Sequence, residues 1–269
     1  MKRVITIILA ISISLIAIAD DDQLVLVGST TVLPIAQASA EMFMDVNPNA
    51  DVTVRGGGSG VGIAALIDGT TDIANASRDI KEGEIENARK NGIEPYDNIV
   101  AYDGIAIITN PASKVDELTI KQIRDIFSGK ITNLSEVGGI DKEIVIVSRD
   151  VSSGTFEVFK DLVMEGAPVD DGALRVQSNQ AAVTTVKNSK SAISYVGLGY
   201  VNSSVKAIIV NDIAPTHVNA ATGKYPIVRS LHMYTDGEPK GKTKDFIDYV
   251  MSEEGQMLVK QLGYVGVSE

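Results

Sequence analysis

The stretch Ile144-Val-Ile-Val-Ser148-Arg149-Asp150-Val151-Ser152-Ser153-Gly154-Thr155-Phe156-Glu-Val-Phe-Lys-Asp-Leu-Val-Met164 decides the fold. Its first five residues are a short β-branched apolar run of the length of a buried strand. Residues 156–164 carry apolar positions at helical spacing. Between them lies a loop of small and polar residues with a single glycine. A strand that runs straight into a helix through such a loop is the unit of an α/β protein.

The same unit occurs twice more. A strand at 24–28 passes through Gly28-Ser29-Thr30-Thr31 into a helix at 32–47, and a strand at 52–55 passes through Gly56-Gly57-Gly58-Ser59-Gly60 into a helix at 60–68. Further strands are expected at 73–76, 105–109, 144–148, 192–196 and 205–210. Helices are expected at 81–91, 120–127, 156–164, 180–188 and 243–262. This alternation predicts an α/β chain with mainly parallel sheets. Two places read as crossings between lobes, residues 100–104 and 203–206. They divide the chain into one lobe of 24–103 plus 206–269 and an inserted lobe of 104–205. A lobe made from both ends of a chain suits a protein that closes about a hinge.

All three loops place Ser or Thr hydroxyls at a helix start, where backbone N–H groups have no intrahelical acceptor and the helix dipole is positive. A single serine or threonine there is a helix cap, contributing about 1 kcal/mol. Three such loops, with glycines that allow close backbone approach and one of them carrying Arg149, suit a tetrahedral oxyanion. In α/β proteins the loops at the carboxyl ends of strands are where ligands bind.

The composition limits the alternatives. The chain has 269 residues, with 24 Lys and Arg against 35 Asp and Glu, net −11, and no cysteine. That excludes disulfide scaffolds and cysteine chemistry, and the acidic balance argues against a nucleic-acid partner. Met1-Lys2-Arg3, an apolar run at 4–19 and the small-x-small end Ala17-Ile18-Ala19 read as a secretory signal peptide, residues 1–19, cleaved or kept as an anchor through 4–19. Removing Lys2 and Arg3 leaves 22 basic residues from the original 24, and a net charge of −13.

Nucleotide and hydrolase readings are weaker. No G-x-x-x-x-G-K-[ST] string occurs, and Gly60-Val61-Gly62-Ile63-Ala64-Ala65 meets only the loose G-x-G-x-x-A form. The string around Ser59 lacks the last glycine of G-x-S-x-G. The two histidines, His217 and His232, make neither a metal pair nor an evident base.

At this point the sequence resembles the substrate-binding proteins of phosphate ABC transporters, the PstS type, a branch of the periplasmic-binding-protein superfamily. The resemblance runs through GSTTV (28–32), GGGSGVG (56–62), DIANASRDI (72–80), LTIKQIRDIFSGKITNLSEVGG (118–139), SRDVSSGTF (148–156), SAISYVGLGYV (191–201) and YPIVR (225–229). It implies a two-lobe type II fold with the ligand between the lobes. It also implies a monomeric, non-enzymatic, extracytoplasmic receptor that delivers inorganic phosphate to a membrane permease without cofactor or metal. The family's ligand positions fall on Thr30, Thr31, Ser59, Arg149, Ser153, Gly154 and Thr155. Some members place an aspartate, acceptor of the phosphate proton, after the strand matching 73–76. Here Ser77 stands there, followed by Arg78 and Asp79. Ser77 and Arg78 therefore join the expected site, Arg78 either adding charge or pairing with Asp79. The alternatives are a receptor for another tetrahedral oxyanion, sulfate or molybdate, and a secreted phosphohydrolase or esterase using Ser59 or Ser153.

Overall fold

The computed structural model describes residues 23–267; the leader expected at 1–19 lies outside them. The strands are β1 (Gln23–Gly28), β2 (Asp51–Gly56), β3 (Ile73–Ala76), β4 (Pro95–Thr109), β5 (Glu117–Leu118), β6 (Val145–Arg149), β7 (Leu174–Val176), β8 (Ala192–Gly197), β9 (Lys206–Ala207), β10 (Ile209–Val210) and β11 (Val228–Asp236). The helices are α1 (Leu33–Val46), α2 (Ser59–Ile67), α3 (Glu82–Lys90), α4 (Ile120–Phe127), α5 (Gly154–Leu162), α6 (Asn179–Asn188), α7 (His217–Ala221), α8 (Gly241–Met251) and α9 (Glu253–Gln261).

The strands order as β2-β1-β3-β11-β4-β8-β6-β7, with β9 also on β4, while β10 pairs with β5 apart from them. Each half of this curled sheet has a parallel core: β1 with β2 and β3 on one side, β6 with β7 and β8 on the other. Between them the pairing is antiparallel. Nine of the first ten residues of β4 pair with β11, with Val100 bulged out, and the last five pair with β8. The sheets are therefore mixed rather than mainly parallel, because β4 leaves the first half and β11 returns to it.

Each lobe of the two-lobe α/β architecture has a principal hydrophobic core, with a smaller cluster beside it. Leu24, Leu26, Ile35, Phe43, Leu231, Met233 and Phe246 close one. Ile105, Ile107, Phe127, Phe159 and Tyr195 close the other, with Phe159 stacked on Tyr195 at 3.9 Å between ring centroids. Residues 206–227, expected in the first lobe, pack instead with the second: Ile208, Val210, Tyr225 and Ile227 are buried in the core around Ile105. The cause is local pairing, since β9 bonds to the end of β4 and β10 to β5.

Other departures have equally local causes. The strand expected at 205–210 is two short strands flanking Ile208, and the helix expected at 243–262 breaks at Ser252, whose Oγ accepts from the Gly255 N–H at 3.1 Å and so caps α9. Neither β11 nor residues 95–104 of β4 was expected. Arg229, His232 and Thr235 are buried in β11, so its polar residues do not mark a solvent face.

Candidate functional site

The three hydroxyl loops meet between the two lobes. In the first, Ser29 Oγ accepts from the N–H groups of Thr31 (3.1 Å) and Val32 (3.4 Å), folding the chain tightly before α1. Tyr200 and Tyr264 donate to the carbonyls of Thr30 and Thr31 and pin the loop from outside. In the second, Gly58 has φ +101°, and a Cβ there would lie 2.7 Å from the Ser152 carbonyl oxygen, so only glycine serves. Ser59 opens α2, and its Oγ accepts from the Ser77 N–H at 3.0 Å. In the third, Ser153 caps α5 by accepting from the Phe156 N–H at 3.3 Å, which leaves Gly154 and Thr155 in the first helical turn.

Direct contacts join the loops across the lobes. Thr31 Oγ1 lies 3.1 Å from Thr155 Oγ1. The Gly60 N–H donates to the Ser152 carbonyl at 2.9 Å, and Ser152 Oγ donates to the Gly57 carbonyl at 3.1 Å. A Cβ on Gly154 would overlap Ser59 Oγ and come within 2.8 Å of Ser77 Oγ. The result is a compact, buried cluster of the hydroxyls of Thr30, Thr31, Ser59, Ser77 and Thr155, with Ser153 at its edge.

Two arginines serve this cluster differently. Arg149 is 1% exposed. Its Nη2 donates to Thr30 Oγ1 (3.2 Å) and the Gln177 carbonyl (2.9 Å), and its Nε to the Val176 carbonyl (3.3 Å). Its Nη1 is buried with no hydrogen-bond partner among the described residues. Burial above all, with the charge of Arg229 adding to it, lowers its pKa to about 10 against the pull of Asp150. A buried guanidinium with an unused nitrogen and no carboxylate in its hydrogen bonds is built to receive an anion. Arg229 on β11 uses every N–H it has. Nη1 donates to Thr155 Oγ1 (2.8 Å) and at 3.3 Å to both the carbonyl and the hydroxyl of Ser77. Nη2 donates to Thr31 Oγ1 (3.1 Å) and Asp103 Oδ2 (2.8 Å), and Nε to Asp103 Oδ2 (3.2 Å).

Of the nine expected residues, eight converge here and one turns away. Arg78 neither faces the hydroxyls nor pairs with the Asp79 side chain. It is held by Glu84 at 2.7 Å and by Glu157, on α5 of the other lobe, at 3.1 Å. The Asp79 side chain is 88% exposed. Sequence reasoning missed Arg229, Asp103 and Asn179. Asn179 Nδ2 donates to Thr30 Oγ1 (3.2 Å) and Thr31 Oγ1 (3.0 Å), while its Oδ1 accepts from the Gly197 N–H (3.2 Å). The signals were present: YPIVR ends on Arg229, and Asp103 sits in the stretch read as a crossing.

Among the described residues no group of His, Asp and Glu could hold a metal ion, no hydrogen bond joins Ser59 or Ser153 to a histidine, and no helix is long and apolar enough to cross a membrane.

Comparison with known proteins agrees with this geometry. A family described as "PBP superfamily domain" matches residues 17–254. The chain is 35% identical over 247 residues to the phosphate-binding protein PstS of Bacillus subtilis, covering 90% of this chain and 80% of that protein. It is 33% identical over 283 residues to PstS of Borreliella burgdorferi, covering 99% of each. Among solved structures, a putative phosphate ABC transporter substrate-binding protein from Clostridium perfringens, with bound phosphate, aligns with a TM-score of 0.85 at 34% identity, covering 91% of this chain and 99% of that one. The chain belongs to the PBP superfamily and, within it, to the PstS family of substrate-binding proteins.

Proposed function

We propose that this protein is an extracytoplasmic receptor that captures inorganic phosphate between its lobes and hands it to the permease of an ABC importer. The observation that carries this reading is Arg149: a buried cation whose Nη1 has no partner among the described residues, beside the Thr30, Thr31, Ser59, Ser77 and Thr155 hydroxyls and the first turn of α5. The Ser153, Gly154 and Thr155 turn supplies backbone N–H groups at that helix start. Relatives of matching length named for phosphate binding support the same ligand.

Hydrogen bonds to a charged group contribute roughly 1.5–3 kcal/mol each. Several of them exceed the ~8 kcal/mol of a micromolar complex, which leaves room for desolvation and for ordering the two lobes. The lobes are 24–103 plus 228–267 and 104–227, joined where β4 leaves and β11 returns. Phosphate touches both and so favours the closed form, which the permease then reads. Neither Ser59 nor Ser153 bonds to a histidine among the described residues, which supports a receptor rather than a hydrolase. The receptor acts as a monomer without cofactor, outside the cytoplasmic membrane, and residues 4–19 direct its export or tether it.

The test is equilibrium dialysis of refolded, ligand-free protein against radiolabelled phosphate, alongside an assay with a chromogenic phosphate ester. Saturable binding without turnover supports the receptor. Turnover that is lost in Ser59→Ala or Ser153→Ala overturns it.

A further inference from the structure

The loop that follows β3, residues 77–80, carries Ser77 into the hydroxyl cluster and Arg78 to Glu157 of the other lobe. Three side chains of β11 hold this loop. Arg229 Nη1 donates to the Ser77 carbonyl at 3.3 Å, and the Ile80 N–H donates to Tyr234 Oη at 3.1 Å. The third side chain is His232, which faces Asp79. Of the three holds, only this last one depends on a titrating proton.

His232 is fully buried and stacks on Tyr234, with 5.2 Å between ring centroids. Its Nδ1 lies 2.8 Å from Asp97 Oδ1 on β4. An ionised carboxylate has no proton to give, so Nδ1 carries one and donates it. Tyr234 Oη, at 3.3 Å from the same nitrogen, is the longer contact. In the neutral ring Nε2 then keeps its lone pair. This nitrogen is buried, makes no hydrogen bond among the described residues, and lies 3.4 Å from Asp79 Oδ1. A lone pair set against a carboxylate oxygen repels it. One added proton turns the same contact into a charge-assisted hydrogen bond.

The remaining charges around the ring favour that proton. Asp97 on β4 and Asp79 on the loop attract a cationic ring from two sides. Arg78 on the loop opposes it, but is paired with Glu84 of α3 at 2.7 Å and Glu157 of α5 at 3.1 Å. Burial pushes the pKa of Tyr234 up, so its ring neighbour stays neutral.

Resting on the phosphate reading, we propose that His232 is a positioning residue whose protonation ties Asp79 to Asp97 and so holds Ser77 and Arg78 in place for the closed form. A loop already held loses less freedom when the ligand arrives, so phosphate binds more tightly to the protonated state. The coupling is reciprocal, and bound phosphate therefore strengthens proton binding at His232. Histidine is the side chain that ordinarily changes charge between about pH 5 and 8. Affinity rises as the medium acidifies through the His232 transition.

The chain has two histidines, so His217→Gln leaves one imidazole signal to follow by proton NMR. The experiment titrates His232 in that background with and without saturating inorganic phosphate, and measures phosphate affinity by equilibrium dialysis at about pH 5 and pH 8. Asp79 is exposed, so Asp79→Ala removes the contact without opening the core, and circular dichroism shows that it is folded. With phosphate bound, the His232 titration moves to higher pH by at least about half a pH unit, and most of that movement is lost in Asp79→Ala. The unaltered protein and Asp79→Ala bind phosphate equally within about twofold at pH 8, and the unaltered protein binds roughly fivefold more tightly at pH 5. Both proteins meet the same ionisation of phosphate, so their ratio cancels the ligand's own titration, and a merely structural role for Asp79 does not make that ratio change with pH. A His232 titration indifferent to phosphate, a movement that survives in Asp79→Ala, or an affinity ratio equal at the two pH values overturns the inference while leaving phosphate binding intact. Absence of phosphate binding by the unaltered protein at both pH values overturns the functional reading itself.

Discussion

Arg229 and Asp103 stand directly opposite one another on β11 and β4, the two antiparallel strands that join the lobes, and form a buried ion pair with Nη2 to Oδ2 at 2.8 Å. The pair belongs to the hinge and to the site at once, since the same guanidinium reaches Thr31 and Thr155 from opposite lobes. Removing one partner of such a pair leaves an uncompensated buried charge. Asp103→Asn is expected to destabilise the protein by about 3 kcal/mol in urea unfolding. Saturating phosphate should recover more stability in this variant than in the unaltered protein, because the anion neutralises a second unpaired arginine.

Glu157 on α5 bonds across the lobes to Arg78 (3.1 Å) and Lys81 (2.6 Å), so it latches the closed form at the edge of the cleft. A partly exposed pair such as that with Lys81 contributes about 1 kcal/mol, which corresponds to roughly a fivefold change in a rate. Glu157→Gln should speed phosphate release by roughly threefold to tenfold in stopped-flow measurements. Association should change by less than about twofold, because the latch forms only on closure.

The pKa of Arg149, lowered to about 10, sets the alkaline limit of binding. Bound phosphate favours the charged guanidinium, so binding takes up a proton wherever Arg149 is deprotonated in the free protein. Affinity is therefore insensitive to this group below pH 9 and falls as pH rises through 10, approaching tenfold per unit. Calorimetry between pH 8 and 11 measures it.

Gly154 brings the start of α5 close against Ser59 and Ser77 of the first lobe. Gly154→Ala places a methyl group against Ser59 Oγ and Ser77 Oγ. The expected outcome is a folded protein, since alanine suits a helix start, with phosphate affinity reduced by at least about tenfold.

The legible part of this molecule was local. The switch from apolar run to hydroxyl loop to helical spacing placed Thr30, Thr31, Ser59, Ser153 and Thr155 within a few residues of their true elements, because turn chemistry and periodicity are short-range properties. What stayed hidden was long-range. Arg229 meets Asp103 from 126 positions away and Asn179 meets Thr30 from 149 positions away, and no spacing rule reports such pairs. β11 was hidden for a related reason: a strand buried on both faces while carrying Arg229, His232 and Thr235 shows no alternation to read. Arg78 was misread because Glu84 and Glu157, rather than its neighbour Asp79, compete for it.

Calorimetric titration of refolded, ligand-free protein with phosphate, with Arg149→Gln and Lys142→Ala measured beside it, tests the central claim most directly. Lys142 lines a groove of the second lobe away from the cluster and serves as the control for charge alone. The account predicts one saturable site of micromolar or tighter affinity, weakened at least about a hundredfold in Arg149→Gln and unchanged in Lys142→Ala. No heat with phosphate, or equal affinities in the Arg149→Gln variant and the unaltered protein, would contradict it.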